Sequence, residues 1–460
     1  MISSSSLLSA TNPYEGAIQQ IMGLEGQKKL QLQSMQRQER SKKSALNDVS
    51  SKLSTLNTTL DKFLNSTSEQ FNPLKSTSSN PDAIEVVSTD TTVPEGSHNI
   101  KVTQLAKNDT VLTDLINGAN SDMNTTGSGS FDLTIGSGSA INISINTTGL
   151  TNQEVLGAVA TQINQQAGDQ VQASVFNVDG TNYQLSLKSK ETGQANQITL
   201  SNLQGDLQSL NTSHLYTADQ LNAKFTMDGI SFQRSGNLIN DVIDGLTFQL
   251  NAETTNQEKI NIDMDLDSAV ENVKKFIDDF NAVNKFIRSK TYVTDTGDRG
   301  LLQSERSVRN ISFDLRETAM QSVASLAGGS ISTLADIGIE FEKDGTMKLS
   351  DTNKLNDVLK TNTSQVQQLF TASDGIAQKM KDRIDIYIKG DNNVIDSIKS
   401  GIDQRIDRYD KRIESENKYL DRREKELRDQ FAQLQQIITE SQNQYNNFLA
   451  VQGQYNATGF

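Results

Sequence analysis

The sequence predicts an α+β multidomain protein in which both termini form a long antiparallel, coiled-coil-like helical leg, with two antiparallel β-rich domains inserted in it. Two observations predict this class. Apolar residues step by three and four over residues 14–63 and again over residues 395–452, which places them on one stripe of a helix. Between residues 83 and 265 the apolar period changes to two, as in β-strands.

The N-terminal helix is predicted from a heptad-like series with few interruptions. Polar residues enter the stripe at Glu25, Lys28, Glu39 and Lys42, where they are expected to fix register or the choice of partner helix. Two long helices at opposite chain ends most simply lie side by side; the alternative is a helical bundle with no further role. The apolar series is Tyr14, Ile18, Ile21, Leu32, Met35, Leu46, Val49, Leu53, Leu56, Leu60 and Phe63.

The C-terminal helix is predicted over residues 395–452, because this stretch has no proline and only Gly401 near its start. Residues 403–429 carry both signs of charge, as on a solvated coiled-coil surface. After Gln430 the only charged side chain is Glu440. This uncharged part is either a frayed polar tail or a segment that orders only on assembly. The stripe contains Ile398, Ile402, Ile406, Tyr409, Ile413, Leu420, Leu427, Phe431, Leu434, Ile438, Tyr445 and Phe448.

The β region is predicted to contain two modules, one inserted in the other. Short alternating runs such as 131–135 and 141–145 are separated by Gly, Asn, Asp and Ser, which is typical of antiparallel strands. One helix is predicted over residues 152–166, and the low-complexity stretch 120–130 is predicted to join the modules. After residue 267, helical periodicity returns, and a hairpin is predicted over residues 339–349.

These patterns predict four parts of the chain. Within the leg, one amphipathic helix is predicted through Val270 and Phe286 and another through Val308 and Met320. The predicted parts are terminal helical segments at 1–42 and 430–460 that stay disordered until assembled, a helical leg domain at 43–80 and 266–429, an inner β domain at 81–125 and 222–265, and an inserted outer β domain at 126–221.

Composition excludes several functional classes. The net charge is −14, and residues 81–265 contain 7 Lys and Arg against 21 Asp and Glu, so this acidic middle argues against nucleic-acid binding. The absence of cysteine excludes disulfides and thiolate metal sites. The Ser-rich residues 1–12 are predicted to be disordered and lack the basic and apolar regions of a secretory signal peptide. No apolar run reaches the length of a membrane span.

Residues suited to catalysis or cofactor binding are scarce. Of the two histidines, His98 is predicted in a strand and His214 in a loop, neither within a cluster of partners. Residues 127–129 read Gly-Ser-Gly, yet they precede a strand, whereas a phosphate loop precedes a helix. Asp295 and Asp298 lack the bidentate glutamate of an EF-hand loop, so a turn is favoured over a calcium site. We therefore expect no enzymatic activity, no cofactor and no metal, and interpret the chain as a structural or assembly protein.

Three separated motifs resemble one family. Residues 225–230 read Phe-Thr-Met-Asp-Gly-Ile, with Arg-Ser-Gly-Asn-Leu-Ile at 234–239 and Val-Ile-Asp-Gly-Leu-Thr at 242–247. Residues 334–339 read Leu-Ala-Asp-Ile-Gly-Ile, with Asp-Gly-Thr-Met at 344–347. Residues 96–106 are similar to an early strand of the same family. The three motifs resemble, in sequence and in their order along the chain, those of the bacterial flagellar filament cap family, flagellar hook-associated protein 2 (FliD). The family's Gly-rich opening and its proline after the Leu24–Glu25 pair are replaced here by serines and Gly26.

The resemblance implies a homo-oligomeric ring, usually a pentamer, at the extracellular tip of the flagellum. Such a ring would hold incoming flagellin, prevent its leakage and support filament elongation and motility. Export through the flagellar type III channel would explain the lack of a cleaved signal peptide. From the apolar stripes themselves, we expect self-assembly and filament contacts at Ile18, Ile21, Leu32, Leu434, Ile438, Tyr445 and Phe448.

Two alternative functions and one further partner are compatible with the sequence. An adhesin would bind a host or prey surface through the acidic β domains, and a hook–filament junction protein would share the leg architecture. An export chaperone would have reason to cover the C-terminal stripe, because an apolar stripe on an unfolded export substrate favours aggregation.

Overall fold

The computed structural model describes residues 14–292 and 299–457 of the chain. These residues form two compact units. The helical unit contains the described residues up to Thr67 and those from Val270 onward, and the β unit contains residues 68–269. The predictions for residues 1–12, Asp295 and Asp298 lie outside the described residues.

The helices agree well with the predicted periodicities, and α4 has the bounds that the sequence predicts. The Thr151 and Glu154 side chains form a capping box at its start, which satisfies backbone N–H groups that the first helical turn leaves free. The α-helices are α1 (Glu15–Glu25), α2 (Gln27–Asn65), α3 (Thr67–Phe71), α4 (Asn152–Gln166), α5 (Ala218–Leu221), α6 (Leu266–Thr291), α7 (Arg306–Met320), α8 (Thr352–Thr371), α9 (Ile376–Ile388) and α10 (Val394–Ala457).

Helices α1, α2 and α10 form the predicted leg. Gly26, between α1 and α2, keeps a helical φ of −73°, and its carbonyl oxygen accepts a hydrogen bond from the Leu30 N–H, so these two helices are nearly continuous. Helix α10 has 64 residues, which corresponds to about 96 Å at 1.5 Å per residue. Both α1 and α2 pack against it. The predicted α+β class with a terminal helical leg is therefore confirmed.

Three phenylalanines form the aromatic centre of the helical unit. Phe63 of α2 meets Phe370 of α8 edge-on at a centroid distance of 5.1 Å, and Phe276 of α6 meets Phe370 at 5.7 Å. All three rings are fully buried. Edge-to-face pairs of this kind contribute about 0.5–1.5 kcal/mol each beyond the burial of their surface, so they tie the first long helix to two later ones.

The predicted hairpin is present and is fixed to α6. Its strands turn at Gly345, whose φ is +84°, a conformation that favours glycine. The Asn281 side chain of α6 accepts a hydrogen bond from the Met347 N–H at 2.7 Å and donates one to the Met347 carbonyl oxygen at 2.8 Å. This two-way contact holds the hairpin against the helix.

The β unit consists of two modules with separate cores. The strands of the whole chain are β1 (Leu74–Ser78), β2 (Ile84–Thr89), β3 (Gly96–Gln104), β4 (Asn108–Thr113), β5 (Ile116–Asn117), β6 (Ser128–Ile135), β7 (Ile141–Asn146), β8 (Val171–Asn177), β9 (Asn182–Thr192), β10 (Ile198–Gly205), β11 (Thr212–His214), β12 (Ala223–Met227), β13 (Ile230–Arg234), β14 (Leu238–Ile239), β15 (Leu246–Leu250), β16 (Glu258–Met264), β17 (Ile339–Phe341) and β18 (Met347–Leu349). All their pairings are antiparallel.

The first module combines a five-stranded sheet in the order β1-β16-β3-β12-β13 with a three-stranded sheet in the order β14-β15-β2. Its core is centred on Phe225 and Phe248. The second module combines the sheet β10-β6-β7 with the sheet β11-β4-β9-β5, on which β8 pairs with β9. Helix α4 packs on this module and buries Val155, Val159 and Ile163 in its core.

Strand pairing corrects the predicted domain boundaries. Strand β1 pairs with β16, so residues 74–80 belong to the first β module, whereas we predicted them in the leg. Strand β4 pairs with β9 and β11, so the second module begins near residue 107, whereas we predicted residue 126. The stretch 120–130 therefore lies inside the second module. Asn108 of β4 pairs with Thr192 of β9, which is far away in sequence. The alternating pattern within β4 predicts a strand but does not show which strand it pairs with.

Residues 15–42 are helical and pack against α10, with Ile18 and Leu32 buried, and their disorder before assembly stays a prediction. One local prediction differs from the structure. His214 lies in β11 and not in a loop, since its short strand pairs with β4.

Candidate assembly surface

The leg is held in register by a series of ion pairs between its two ends. Glu15 pairs with Arg428 at 2.7 Å, Glu25 with Arg423 at 3.1 Å, and Lys28 with Glu416 at 2.7 Å. Farther along, Glu39 pairs with Arg405 at 2.9 Å and Lys43 with Asp403 at 2.6 Å. Residue numbers rise on α1 and α2 as they fall on α10, which shows the antiparallel direction. The polar residues in the N-terminal stripe thus meet complementary charges.

Glu39 is one of the two buried carboxylates of this series, and Glu416 is the other. Glu39 accepts hydrogen bonds at 2.9 Å from both Lys42 and Arg405. Burial raises the pKa of Glu39, and the hydrogen bonds from Lys42 and Arg405 outweigh this effect, so its pKa lies below the ordinary value. The charged form is therefore favoured in the folded leg.

We expect Glu39→Gln to destabilise the helical unit by about 1 kcal/mol, because Arg405 and Lys42 keep some access to water. Urea unfolding followed by circular dichroism measures this change. Glu414→Gln, which disturbs the exposed Glu414–Lys418 pair, is the control and should have little effect. A folded-state pKa below the unfolded value of about 4.3 means that the Glu39 contribution is present above pH ~4.3 and is lost as the pH falls through the folded pKa. Equal free energies of unfolding for wild type and Glu39→Gln at pH 7 would contradict the stabilising role assigned to Glu39.

Among the described residues, the contact of the N-terminal part of the leg with α10 ends at an aromatic pair. Tyr14 stacks on Phe431 with a centroid distance of 5.0 Å. Beyond Phe431, the described side chains of α10 are exposed, apart from the half-buried Ile438. Leu434 is 42% exposed, Tyr445 63% and Phe448 62%. The spacings of these residues place them on one side of the helix, so an apolar stripe without a partner in the described part of the chain continues along α10.

The predicted contact residues fall into two groups. Ile18 and Leu32 are buried and Ile21 is half-buried, on helices that pack against α10. The remaining residues, Leu434, Ile438, Tyr445 and Phe448, lie on the stripe beyond the ion-pair series. We define these last four residues as the distal stripe.

Comparison with known proteins identifies the family. A family model for the C-terminal part of flagellar hook-associated protein 2 matches residues 221–443, and the model for its N-terminal part matches residues 12–109. Together the two matches cover more than half of the chain. This chain belongs to the flagellar hook-associated protein 2 family. The first match stops at residue 109 and the second begins at residue 221, so the part between them is most of the second β module.

Individual flagellar hook-associated protein 2 relatives are similar over most of their length. The B-type protein of Pseudomonas aeruginosa is 27% identical over 402 residues, which are 81% of this chain and 82% of the relative. The Xenorhabdus nematophila protein is 26% identical and the alignment covers 91% of this chain and 94% of the relative. The crystal structure of the D1-D2-D3 domains of the Escherichia coli flagellar cap protein FliD matches with a TM-score of 0.62 and 25% identity, over 78% of this chain and 99% of that one.

The distal stripe of this chain has little charge around it. Glu440, the single ionised side chain after residue 430, accepts a hydrogen bond from Gln436 at 2.9 Å. Neighbouring positions are mostly Gln, Asn, Ser and Thr, whose desolvation costs less than that of ions. The stripe is thus suited to close packing against another protein surface.

Both histidines have carboxylate partners that sequence reasoning missed. His98 contacts Asp228 at 2.7 Å, and His214 contacts the buried Asp109 at 3.0 Å. The hydrogen bond from His98 is the main cause that lowers the pKa of Asp228. Each pair joins residues that are distant in sequence, and no sequence spacing reveals either pair.

Within residues 14–292 and 299–457, no group of His, Cys, Asp and Glu side chains is suited to hold a metal ion. Nor does any helix in these ranges combine the length and apolar content needed to cross a bilayer.

Proposed function

We propose that this chain is a non-enzymatic cap at the distal tip of the flagellar filament. A ring of copies, five by family resemblance, promotes flagellin polymerisation, prevents loss of exported flagellin and thereby supports elongation and motility. The single observation that carries this proposal is the exposed distal stripe at the end of the leg in a member of the hook-associated protein 2 family. The family assignment does not favour an adhesin or a junction protein.

The two groups of contact residues have different roles in this proposal. Ile18, Ile21 and Leu32 stabilise the leg, while the distal stripe packs against filament subunits. An isolated helix that packs on nothing is only marginally stable in water, so residues 432–457 gain order from that contact. Because the stripe is narrow and uncharged, each contact can form and separate as a new flagellin subunit is inserted.

The same stripe is a natural target for an export chaperone. Before assembly it has no filament partner, and exposed apolar side chains favour aggregation. We infer that a chaperone covers the distal stripe until export through the flagellar type III channel, without cleavage of a signal peptide. Cap assembly then replaces chaperone contacts with filament contacts.

Complementation tests the function directly. The chain is produced in a flagellated strain that lacks its own cap protein but expresses a flagellin matched to this chain. We expect restored filaments and swimming, with flagellin moving from the culture medium into filaments. A chain that ends at Phe431 keeps the ion-pair series but loses the distal stripe, and should leave flagellin in the medium. If the full chain reaches the cell exterior and flagellin still accumulates there, the proposed function is wrong.

A further inference from the structure

Two stretches of chain connect the β modules. Residues 105–107 lead from β3 of the first module into β4 of the second, and residues 215–222 lead back from β11 into β12. Two domains that are joined only by linkers are expected to move relative to one another unless they also share an extensive contact. A fixed orientation of the two modules must therefore come from contacts beyond the covalent connections.

Hydrogen bonds tie the two connections together. The Lys107 N–H donates to the Leu221 carbonyl oxygen at 2.8 Å, so the outgoing and the returning stretch lie side by side. The Gln104 side chain of β3 donates to the carbonyl oxygens of Asp219 and Asn222 at 2.9 and 2.6 Å. The returning stretch is thus fixed to the first module as well as to the outgoing stretch.

A loop of the second module packs against both connections. It begins at the end of β9, and its Gly193 N–H donates to the Lys107 carbonyl oxygen at 2.9 Å. The next N–H group, that of Gln194, donates to the side-chain oxygen of Asn222 at 2.7 Å. Asn222 is buried, so this hydrogen bond is shielded from water. One loop therefore holds the outgoing connection through its main chain and the returning connection through a side chain.

The same loop contacts the first module directly, at a point where only glycine fits. The Thr192 hydroxyl donates to the Ser235 carbonyl oxygen at 2.7 Å. Gly193 has a φ of +92°, and a Cβ atom at this position would lie 2.5 Å from the Cα atom and the carbonyl oxygen of Ser235. Contacts this short to main-chain atoms are relieved only if the backbones move apart. Gly193 therefore permits the close approach of the two modules.

The first module's side of this contact is also fixed. The Asn237 side chain accepts a hydrogen bond from the Ala106 N–H at 2.7 Å and donates one to the Ala106 carbonyl oxygen at 3.0 Å. Because Ser235 precedes Asn237 by two residues, the segment that receives Gly193 is tied to the outgoing connection. We define the intermodule joint as residues 105–107, 192–194, 219–222 and 235–237.

We propose that the intermodule joint holds the two β modules in one fixed orientation, so that they move as one rigid arm. Its hydrogen bonds link four separate segments, and the modules can rotate relative to one another only if several of these bonds break together. The bonds join main-chain groups and uncharged side chains, so salt screens them little. A partner that binds the second module therefore moves the first module with it. This inference concerns the β unit alone and is independent of the cap function.

Distances between spin labels on the full chain test this proposal. Because the chain has no cysteine, Gln165→Cys on α4 and Asn256→Cys in the first module place one label on each module, and both positions are exposed. We expect a single narrow distance distribution when the joint is unaltered. Gly193→Ala should broaden this distribution and shift its mean. A broad distribution with the unaltered joint, or an unchanged one in folded Gly193→Ala, would overturn the proposal.

Gly180→Ala is the matched control for Gly193→Ala. Gly180 lies in the turn between β8 and β9 at a φ of +88°, and a Cβ atom there would have no other described atom within 4 Å. Both substitutions carry the penalty of a positive φ, and only Gly193→Ala adds the short contacts with Ser235. Gly180→Ala should keep the narrow distribution. Equal broadening by the two substitutions would count against the joint as the cause.

Hydrogen exchange in a milder variant provides a second measurement, which also covers the case that Gly193→Ala does not fold. Asn222→Ala removes the acceptor of the Gln194 N–H. It leaves the acceptors of the Lys107 and Gly193 N–H groups in place. If the joint opens as one unit, these two amides also exchange faster, by roughly twofold to tenfold for the loss of one hydrogen bond.

Asn164→Ala is the control for this second measurement. The Asn164 side chain of α4 makes two hydrogen bonds to the main chain of Ala173 in β8, entirely within the second module. Its removal should leave the exchange of the Lys107 and Gly193 amides unchanged. Mass spectrometry with fragmentation to single residues resolves these amides in the full chain. Exchange rates at Lys107 and Gly193 that are the same in wild type and Asn222→Ala would overturn the proposal.

Discussion

Leu434→Asp combined with Ile438→Asp is expected to abolish filament capping while leaving both compact units folded. Burial of a large aliphatic side chain contributes about 1.5–3 kcal/mol, and every 1.4 kcal/mol is a tenfold change in affinity. Two such losses, together with two carboxylates placed against an apolar surface, weaken the filament contact by at least about a hundredfold. Filament length by electron microscopy and flagellin in the culture medium are the measurements.

Asn443→Asp combined with Asn447→Asp is the matched control. Both residues are exposed and their spacing from Leu434 places them on the opposite side of α10. The control adds the same two negative charges to the same helical segment, so it should keep capping activity. Far-UV circular dichroism and thermal unfolding should be the same in both double variants. Filaments of normal length from the Leu434 and Ile438 variant would rule out the distal stripe as the filament contact.

Asp206→Asn is expected to destabilise the second β module more than any other single loss of charge there. The Asp206 carboxylate is buried and accepts hydrogen bonds from the backbone N–H groups of Thr125, Thr126 and Gly127 at 2.9, 2.7 and 3.0 Å. It also accepts hydrogen bonds from the Thr125 and Thr147 hydroxyls at 2.8 and 2.5 Å. An amide cannot replace both carboxylate oxygens as acceptors, so at least one donor loses its partner.

The pH dependence gives this prediction a second signature. Burial raises the pKa of Asp206, and the hydrogen bonds from Thr147, Thr125 and Thr126 outweigh it and hold the pKa well below its ordinary range. The stabilisation is therefore present above the unfolded pKa of about 3.9 and is lost as the pH falls through the lower folded value. The difference in the free energy of unfolding between wild type and Asp206→Asn should be constant from pH 5 to 8 and shrink below pH ~4.

Calorimetry of the full chain measures this effect. We expect the transition of the β unit to shift down by an amount on the order of 5 °C at pH 7, with the helical unit unchanged. Asp169→Asn, an exposed position in the same module, removes the same charge and should leave the transition in place. A difference in transition temperature between wild type and Asp206→Asn that widens as the pH falls would contradict the role assigned to the Asp206 carboxylate.

Local features of this protein could be predicted from sequence because neighbouring residues determine them. Helix α4 has its predicted bounds, since an apolar period and a capping box both lie within its own residues. The hairpin turn at Gly345 follows from the local need for a positive φ. The long heptad-like series at both chain ends likewise predicted the terminal helices. The uncharged composition after Gln430 likewise predicted that the residues of the distal stripe contact other chains.

Only the tertiary structure decided which of these local elements are covered. Met320 belongs to the apolar series of α7, yet it is exposed while Leu315 is buried, because the periodic pattern of one helix does not show where its neighbours end. The boundary near residue 107 depends on the pairing of β4 with β9, and the ion pair of Glu39 with Arg405 joins residues far apart in sequence. Sequence thus determined the helices, strands and turns, which arise from local backbone preferences and periodicity. Register, module boundaries and exposed faces depend on long-range packing, which no local pattern specifies.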